Sequence, residues 1–226
     1  LISSIISVIQ NRKDNDKHWL IKAIEDYHLN LPLQEPSSHT FHASSLGNPC
    51  DRFLYLFYHG QLPPDRIDSK LRRIFDTGIK AEGKYRDYFK GMRIYKAEQI
   101  PVHNNHPPIS GRTDFCIVSL VSTFLVELKT INNRGFSLLE KAKSEHEIQL
   151  QAYLNLTNIP LGIVLYENKD TQDLKAFEIR KSEEIWRNVI DRCLKIMSMT
   201  SPPALNSVSS LHDKKYCPCL RVKDAE

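Results

Sequence analysis

Asp114, Glu127 and Lys129 are charged residues set inside apolar, strand-like sequence. In Thr123-Phe124-Leu125-Val126-Glu127-Leu128-Lys129-Thr130 side chains alternate between the two faces of a strand, so Glu127 and Lys129 project from the same face. Asp114 ends the preceding run, Gly111-Arg112-Thr113-Asp114. A carboxylate removed from water costs several kcal/mol unless a partner compensates it, and a divalent cation compensates two at once. Hard Mg²⁺ or Mn²⁺ prefers carboxylate and carbonyl oxygens, which makes Asp114, Glu127 and the Leu128 carbonyl a candidate ligand set. Such an ion neutralises phosphoryl oxygens and lowers the pKa of an attacking water. Lys129 beside it would orient or help deprotonate that water and stabilise charge on a pentacoordinate phosphorus. The chemistry is phosphodiester hydrolysis.

One such strand alone reads better as the wet side of an antiparallel sheet. Glu82 shifts the weighing, because it falls amid the apolar side of a helical pattern, where metal ligation and an ion pair with Lys80, Lys84 or Arg86 explain it equally well. Gln149 and Tyr153 stand four residues apart, on the helical side that carries Leu138, Ala142 and Leu156. A buried amide and hydroxyl need partners. Those are the DNA backbone, the attacking water or the Lys129 region in a catalytic reading, and an ordinary polar cap on a core helix otherwise.

The elements that must position these residues follow from periodicity and punctuation. Residues 1–30 carry apolar positions at helical spacing, with Leu1 to Ile9 as a helix start, until the Pro32 to Pro36 stretch interrupts them. Residues 51–59 are too aromatic for a surface and predict a buried helix, ended by Gly60 to Pro64. Asp68 is placed to cap a helix reaching about Phe89, with Leu71, Ile74, Phe75, Tyr85 and Phe89 on one side. Strands are predicted over 93–102, 109–118 and 123–130 as a meander, then a helix over 137–158, strands over 161–167 and 173–179, a helix over 182–199 and a polar tail. The order implies an α/β fold, a central mixed sheet flanked by helices, with a helical N-terminal annex over 1–40 and the main domain over 41–226, its core about 68–180.

With 226 residues, 41% hydrophobic and 26% charged, the chain has the composition of a globular protein with a sizeable core. A net charge of +4 permits a nucleic-acid partner without requiring one. Neither a bilayer-spanning run nor a secretory signal is evident, and five cysteines without such a signal point to a reducing, intracellular compartment. The nine histidines show no H-E-x-x-H spacing, which sets aside a zinc metallohydrolase.

Taken in order, these residues resemble the RecB-like branch of the PD-(D/E)XK nuclease superfamily. Gly78-Ile79-Lys80-Ala81-Glu82 looks like its helical motif, Gly111-Arg112-Thr113-Asp114 like its Asp motif, Val126-Glu127-Leu128-Lys129 like its (D/E)XK motif, and Gln149-Leu150-Gln151-Ala152-Tyr153 like its Gln-x-x-x-Tyr motif. Coverage runs from about Ser44 to Cys219. The resemblance implies a metal-dependent DNase with Asp114 and Glu127 as ligands, Lys129 as catalytic lysine, Glu82 as an extra ligand where many relatives place His, and Gln149 and Tyr153 as supports. Relatives that carry an iron–sulfur cluster use one Cys ahead of the core and three behind it. Asn48-Pro49-Cys50-Asp51-Arg52 is similar to the upstream element and Tyr216-Cys217-Pro218-Cys219 to part of the downstream one. Lys214 stands where a further Cys would be, so a four-thiolate cluster would need Cys193 or a further C-terminal residue; the alternatives for Cys50, Cys217 and Cys219 are reduced structural thiols or a site of another kind.

Arg52, Arg72, Arg73, Lys84 and Arg112 lie near the motifs and are candidate phosphate contacts, against the alternative of a solvated surface. The reading is a DNA exonuclease acting on single-stranded or processed ends in recombination, repair or replication, alongside a helicase or recombination partner. An endonuclease shares the same core, and a catalytically silent DNA-binding module is the reading of another class.

Overall fold

A computed structural model describes residues 18–32, 38–62, 68–204 and 217–222. The helix start expected at Leu1 to Ile9 lies outside them. The chain forms two compact units, one of residues 1–35 with 64–80 and the other of 36–63 with 81–226. Of the described residues, the first unit holds α1 (Trp19–Leu29) and the first half of α3 (Ser69–Gly91). Asp68 caps α3 as its sequence predicts, Oδ1 accepting from Leu71 N–H at 2.7 Å. Within this unit His28 is buried and shares a 2.8 Å hydrogen bond with Ser69 Oγ. Leu71, Ile74 and Phe75, expected on a buried stripe with Tyr85 and Phe89, are 37%, 41% and 50% exposed. The second half of α3 packs on a sheet of the larger unit, to which it belongs.

The larger unit is built on a five-stranded sheet of order β2-β5-β6-β7-β8: β2 (Tyr95–Glu98), β5 (Phe115–Val118), β6 (Thr123–Ile131), β7 (Leu161–Asn168) and β8 (Leu174–Arg180). All neighbours are antiparallel except β6 and β7, which run parallel with Glu127 opposite Val164. That parallel pair requires a crossover, supplied by α4 (Asn133–Ser137) and α5 (Ser144–Thr157). A second sheet of order β1-β4-β3 joins β1 (Phe41–His42), β4 (Ile109–Arg112) and β3 (Pro101–Asn104). The larger sheet is thus mixed and flanked by helices, as the sequence implies.

Alternation sorts the sheet's side chains into two layers. Phe115, Ile117, Val126 and Leu128 pack with Ala81, Tyr85 and Phe89 of α3. Cys116, Leu125, Val164 and Tyr166 face the other way, into a core shared with α2 (Asp51–Tyr58), α5 and α6 (Glu183–Ser198). Each fully buried Leu or Phe here contributes about 1.5–3 kcal/mol. The aromatic run of α2 is core, with Leu54, Tyr55, Leu56 and Tyr58 all buried. Ser182 caps α6 through Ile185 N–H, and Glu183 and Glu184 follow in its first turn. Among the described residues no helix is long and apolar enough to cross a membrane.

Two further expectations are corrected. The strands read over 93–102 and 109–118 are each broken, at Gln99-Ile100 and at Thr113-Asp114, where the chain passes from one sheet to the other. Gln99 adopts a left-handed φ of 51° there. The helix read over 137–158 begins only at Ser144. Leu138 is 76% exposed, and the segment before α5 is fixed instead by Lys175 Nζ, bonded to the carbonyls of Phe136 and Leu139 at 2.9 Å each.

Candidate active site

The strand break places Asp114 where its carboxylate meets β6. Its Oδ2 accepts from Leu128 N–H at 2.8 Å, which fixes the Glu127–Leu128 peptide. Glu127 and Lys129 share the β6 face that carries Leu125 and looks toward α5, as alternation predicts. Glu127 is 1% exposed. Its Oε1 lies 2.6 Å from Lys129 Nζ, while its Oε2 is buried without a hydrogen-bond partner among the described residues. Lys129 Nζ also donates to Gln149 Oε1 at 3.2 Å, and Gln149 Nε2 donates to the Tyr153 hydroxyl at 3.1 Å. Gln149 and Tyr153, both buried, therefore turn toward Lys129 from α5. Glu82 comes from the other layer, on α3, and its Oε2 accepts from Gln99 Nε2 at 3.1 Å.

Close approach of the second sheet completes the wall. A Cβ on Gly111 would lie 2.9 Å from both Ala43 Cβ and Tyr153 Cε1, so only glycine lets β4 come this near to α5. A Cβ on Gly47 would meet the Glu145 backbone at 2.4 Å, and the first turn of α5 rests there in the same way. An open groove of about 550 Å³ runs past Gln149 and Tyr153 and is also lined by His42, Ser44, His103 and Arg112.

The electrostatics are those of carboxylates crowded around one ammonium. Burial, and then the Glu127 charge, pushes Asp114 up to about 7, against the Leu128 N–H and Lys129. Burial likewise raises Glu127 despite Lys129, and burial followed by Asp114 raises Glu82. Burial by itself depresses Lys129, but Glu127, Asp114 and Glu82 outweigh it and hold it above its ordinary value. Three carboxylates against one lysine leave an excess of two negative charges when all are ionised. A divalent cation matches that excess, and Glu127 Oε2, buried and unmet, offers it a donor. Asp114, Glu127 and Glu82 are the candidate protein oxygens for such an ion, with the Leu128 peptide alongside, although as they stand the three do not bring their ligand atoms within 4.8 Å of one another.

The basic residues singled out in the sequence divide. Arg112 is exposed at the groove. Arg52 is 1% exposed and donates to the carbonyls of Pro203 at 2.8 Å and Val222 at 3.0 Å, so the expectation of a phosphate contact is corrected: it is a core clamp. Lys84 is spent on the buried Glu167 at 2.5 Å. In the smaller unit, Arg72 donates to the Leu31 carbonyl and Arg73 to Ser69 Oγ. Cys50, Cys217 and Cys219 come together, all buried, with their sulfurs within 4.8 Å of one another.

Sequence reading missed two residues. Gln99 orients Glu82, and its signal was a polar Glu98-Gln99 pair just before Pro101 in a strand-like run. His146, one turn before Gln149, bonds Tyr166 through Nδ1 at 2.7 Å. Burial, then Lys129 and Lys143, pushes it down to about 3, so it is a neutral wall of the site.

No family model matches the chain, and no curated protein matches it. Among solved structures it is similar to SSO0001, at 19% identity and a TM-score of 0.55, covering 91% of this chain and 94% of that one. It is also similar to the alkaline exonuclease LHK-Exo from Laribacter hongkongensis, at 12% identity and a TM-score of 0.52, covering 78% and 90%. LHK-Exo in complex with dAMP gives 12% identity and a TM-score of 0.52, covering 70% and 85%. The likeness is one of fold.

Proposed function

We propose that this chain is a divalent-metal-dependent deoxyribonuclease that removes nucleotides from DNA ends. The observation that carries the reading is the buried Glu127, one oxygen on Lys129 and the other without a hydrogen-bond partner among the described residues, with Asp114 and Glu82 near enough for the carboxylates to raise one another. The exonuclease neighbour on the same fold supports it. A bound Mg²⁺ or Mn²⁺ would neutralise the scissile phosphate and acidify a water.

The rest falls to the chain's own residues. Asp114 and Glu127 hold the ligand oxygens in place, and the Asp114 bond to Leu128 N–H sets the spacing between them. Lys129, kept protonated by its carboxylate neighbours, presents positive charge to the phosphoryl oxygens and orients the water rather than taking its proton. Gln149 and Tyr153 aim the ammonium. Arg112, at the groove, meets the DNA backbone. The substrate of this reading is a single strand or a frayed end, processed in recombination, repair or replication beside a helicase or recombination partner.

The test is degradation of end-labelled linear single-stranded, linear duplex and closed circular DNA with Mg²⁺, Mn²⁺ or chelator, comparing wild type with Lys129→Ala. Metal-dependent loss of linear DNA alone, abolished by the substitution, is the expected result. Cutting of circles would make it an endonuclease, and binding without cleavage under every metal would leave a DNA-binding module.

A further inference from the structure

The three cysteines lie apart from the chemistry above. Cys50 precedes α2, and its Sγ accepts from Phe53 N–H at 3.2 Å, capping that helix. Cys217 and Cys219 flank Pro218 at the C-terminal 3₁₀ turn, Pro218–Arg221. Cys50 Sγ and Cys219 Sγ stand 3.6 Å apart, and the three are only 2%, 9% and 0% exposed. We propose that Cys50, Cys217 and Cys219 bind one soft divalent cation of the zinc class, which fastens the C-terminal turn to the start of α2.

The spacing selects one ion. A tetrahedral metal with thiolate bonds of about 2.3 Å holds its sulfurs about 3.8 Å apart, and here all three lie within 4.8 Å, the closest pair at 3.6 Å. In a four-iron cluster each thiolate binds a different iron, so the sulfurs stand wider, and a fourth ligand is needed. Cys193 is buried on α6 but is not in the group, and no fourth His, Cys, Asp or Glu joins it among the described residues. Among the described residues, the three thiols therefore fit a single tetrahedral ion better than a four-iron cluster. The three thiolates would fill three of the four tetrahedral positions.

The surroundings suit a fastening role. Arg52 reaches Val222, on the same turn, and Pro203, so α2 already grips the late chain through two carbonyls. A cation adds a third grip between residues 169 positions apart, where closing the chain removes much unfolded-state freedom. Without it, burial holds the Cys50 and Cys219 thiols above their ordinary pKa; binding displaces the thiol protons.

The experiment is elemental analysis and absorbance of the full chain, purified without oxygen or immobilised metal, followed by exchange with Co²⁺. About one zinc per chain is expected, with a thiolate-to-cobalt charge-transfer band after exchange and no visible iron–sulfide chromophore. Cys50→Ser and Cys219→Ser should lose the metal and the band; Cys193→Ser and Lys129→Ala should keep both. Stripping the metal should lower the melting temperature by about 5 °C or more. If the serine variants fail to fold, the cobalt spectrum of the wild type still decides. Iron with labile sulfide, a Cys50–Cys219 disulfide, or failure of the wild type to hold zinc or cobalt would each overturn the proposal. None of these readouts depends on nuclease activity.

Discussion

Lys129 places its ammonium 2.6 Å from one oxygen of Glu127 and leaves the other oxygen of that buried carboxylate unmet. The carboxylate is therefore satisfied on one side only, and what Lys129 supplies is charge directed at whatever occupies the open side. Lys129→Ala should lower kcat by about 10²–10³-fold with little change in DNA affinity. Single-turnover cleavage paired with a binding titration checks this. An equal loss in binding would assign Lys129 to substrate capture instead.

Asp114 gives the site its pH dependence. Its carboxyl is raised to about 7, so without metal the folded protein binds a proton that the unfolded chain releases near its ordinary value. This stabilisation is full below the unfolded pKa and is lost as pH rises through about 7. In chelator, the stability of wild type relative to Asp114→Asn should fall between pH 4 and 8. Metal affinity should move the opposite way, rising with pH because the ligands must be ionised. Denaturant melts and metal titrations across that range measure the two slopes, and parallel slopes would contradict the assignment.

Gly111→Ala should be costly out of proportion to its size. The added Cβ, 2.9 Å from Ala43 Cβ and Tyr153 Cε1, must push one of them away, at about 1–3 kcal/mol. Because Tyr153 holds Gln149 and Gln149 holds Lys129, kcat should fall as well. A thermal melt and a rate on the same preparation separate the two effects.

Arg52 and Arg112 should part company. Arg52→Ala should destabilise the fold by about 2–4 kcal/mol, since a buried side chain is truncated and two part-buried carbonyls lose a charged donor. The salt dependence of DNA binding should be unchanged. Arg112→Ala should leave the melt unchanged and reduce the salt slope by about one unit. Reversal of the pattern would return Arg52 to the DNA surface.

What the sequence made legible was whatever periodicity and local spacing govern. The β6 alternation placed Glu127 and Lys129 on one face, and Asp68 and Ser182 announced the starts of α3 and α6. What it hid depends on distant partners. Arg52 reads as a surface cation beside a motif, yet its carbonyls lie 151 and 170 positions away. Leu138 and Ala142 match a helical spacing with Gln149, but tertiary bonds from Lys175 set that segment. The breaks at Gln99 and Thr113-Asp114 are invisible to alternation, because each half-strand keeps its own pattern while joining a different sheet.

The central position of β6 makes the site sensitive to length as well as to composition. Its two faces differ by one residue: Val126 and Leu128 belong to the layer under α3, and Leu125, Glu127 and Lys129 to the layer under α5. Inserting or deleting one residue between Thr123 and Glu127 would exchange the faces, drive Glu127 and Lys129 into hydrocarbon and aim Leu128 at the groove. This chain should tolerate many substitutions along β6 and almost no change in its count.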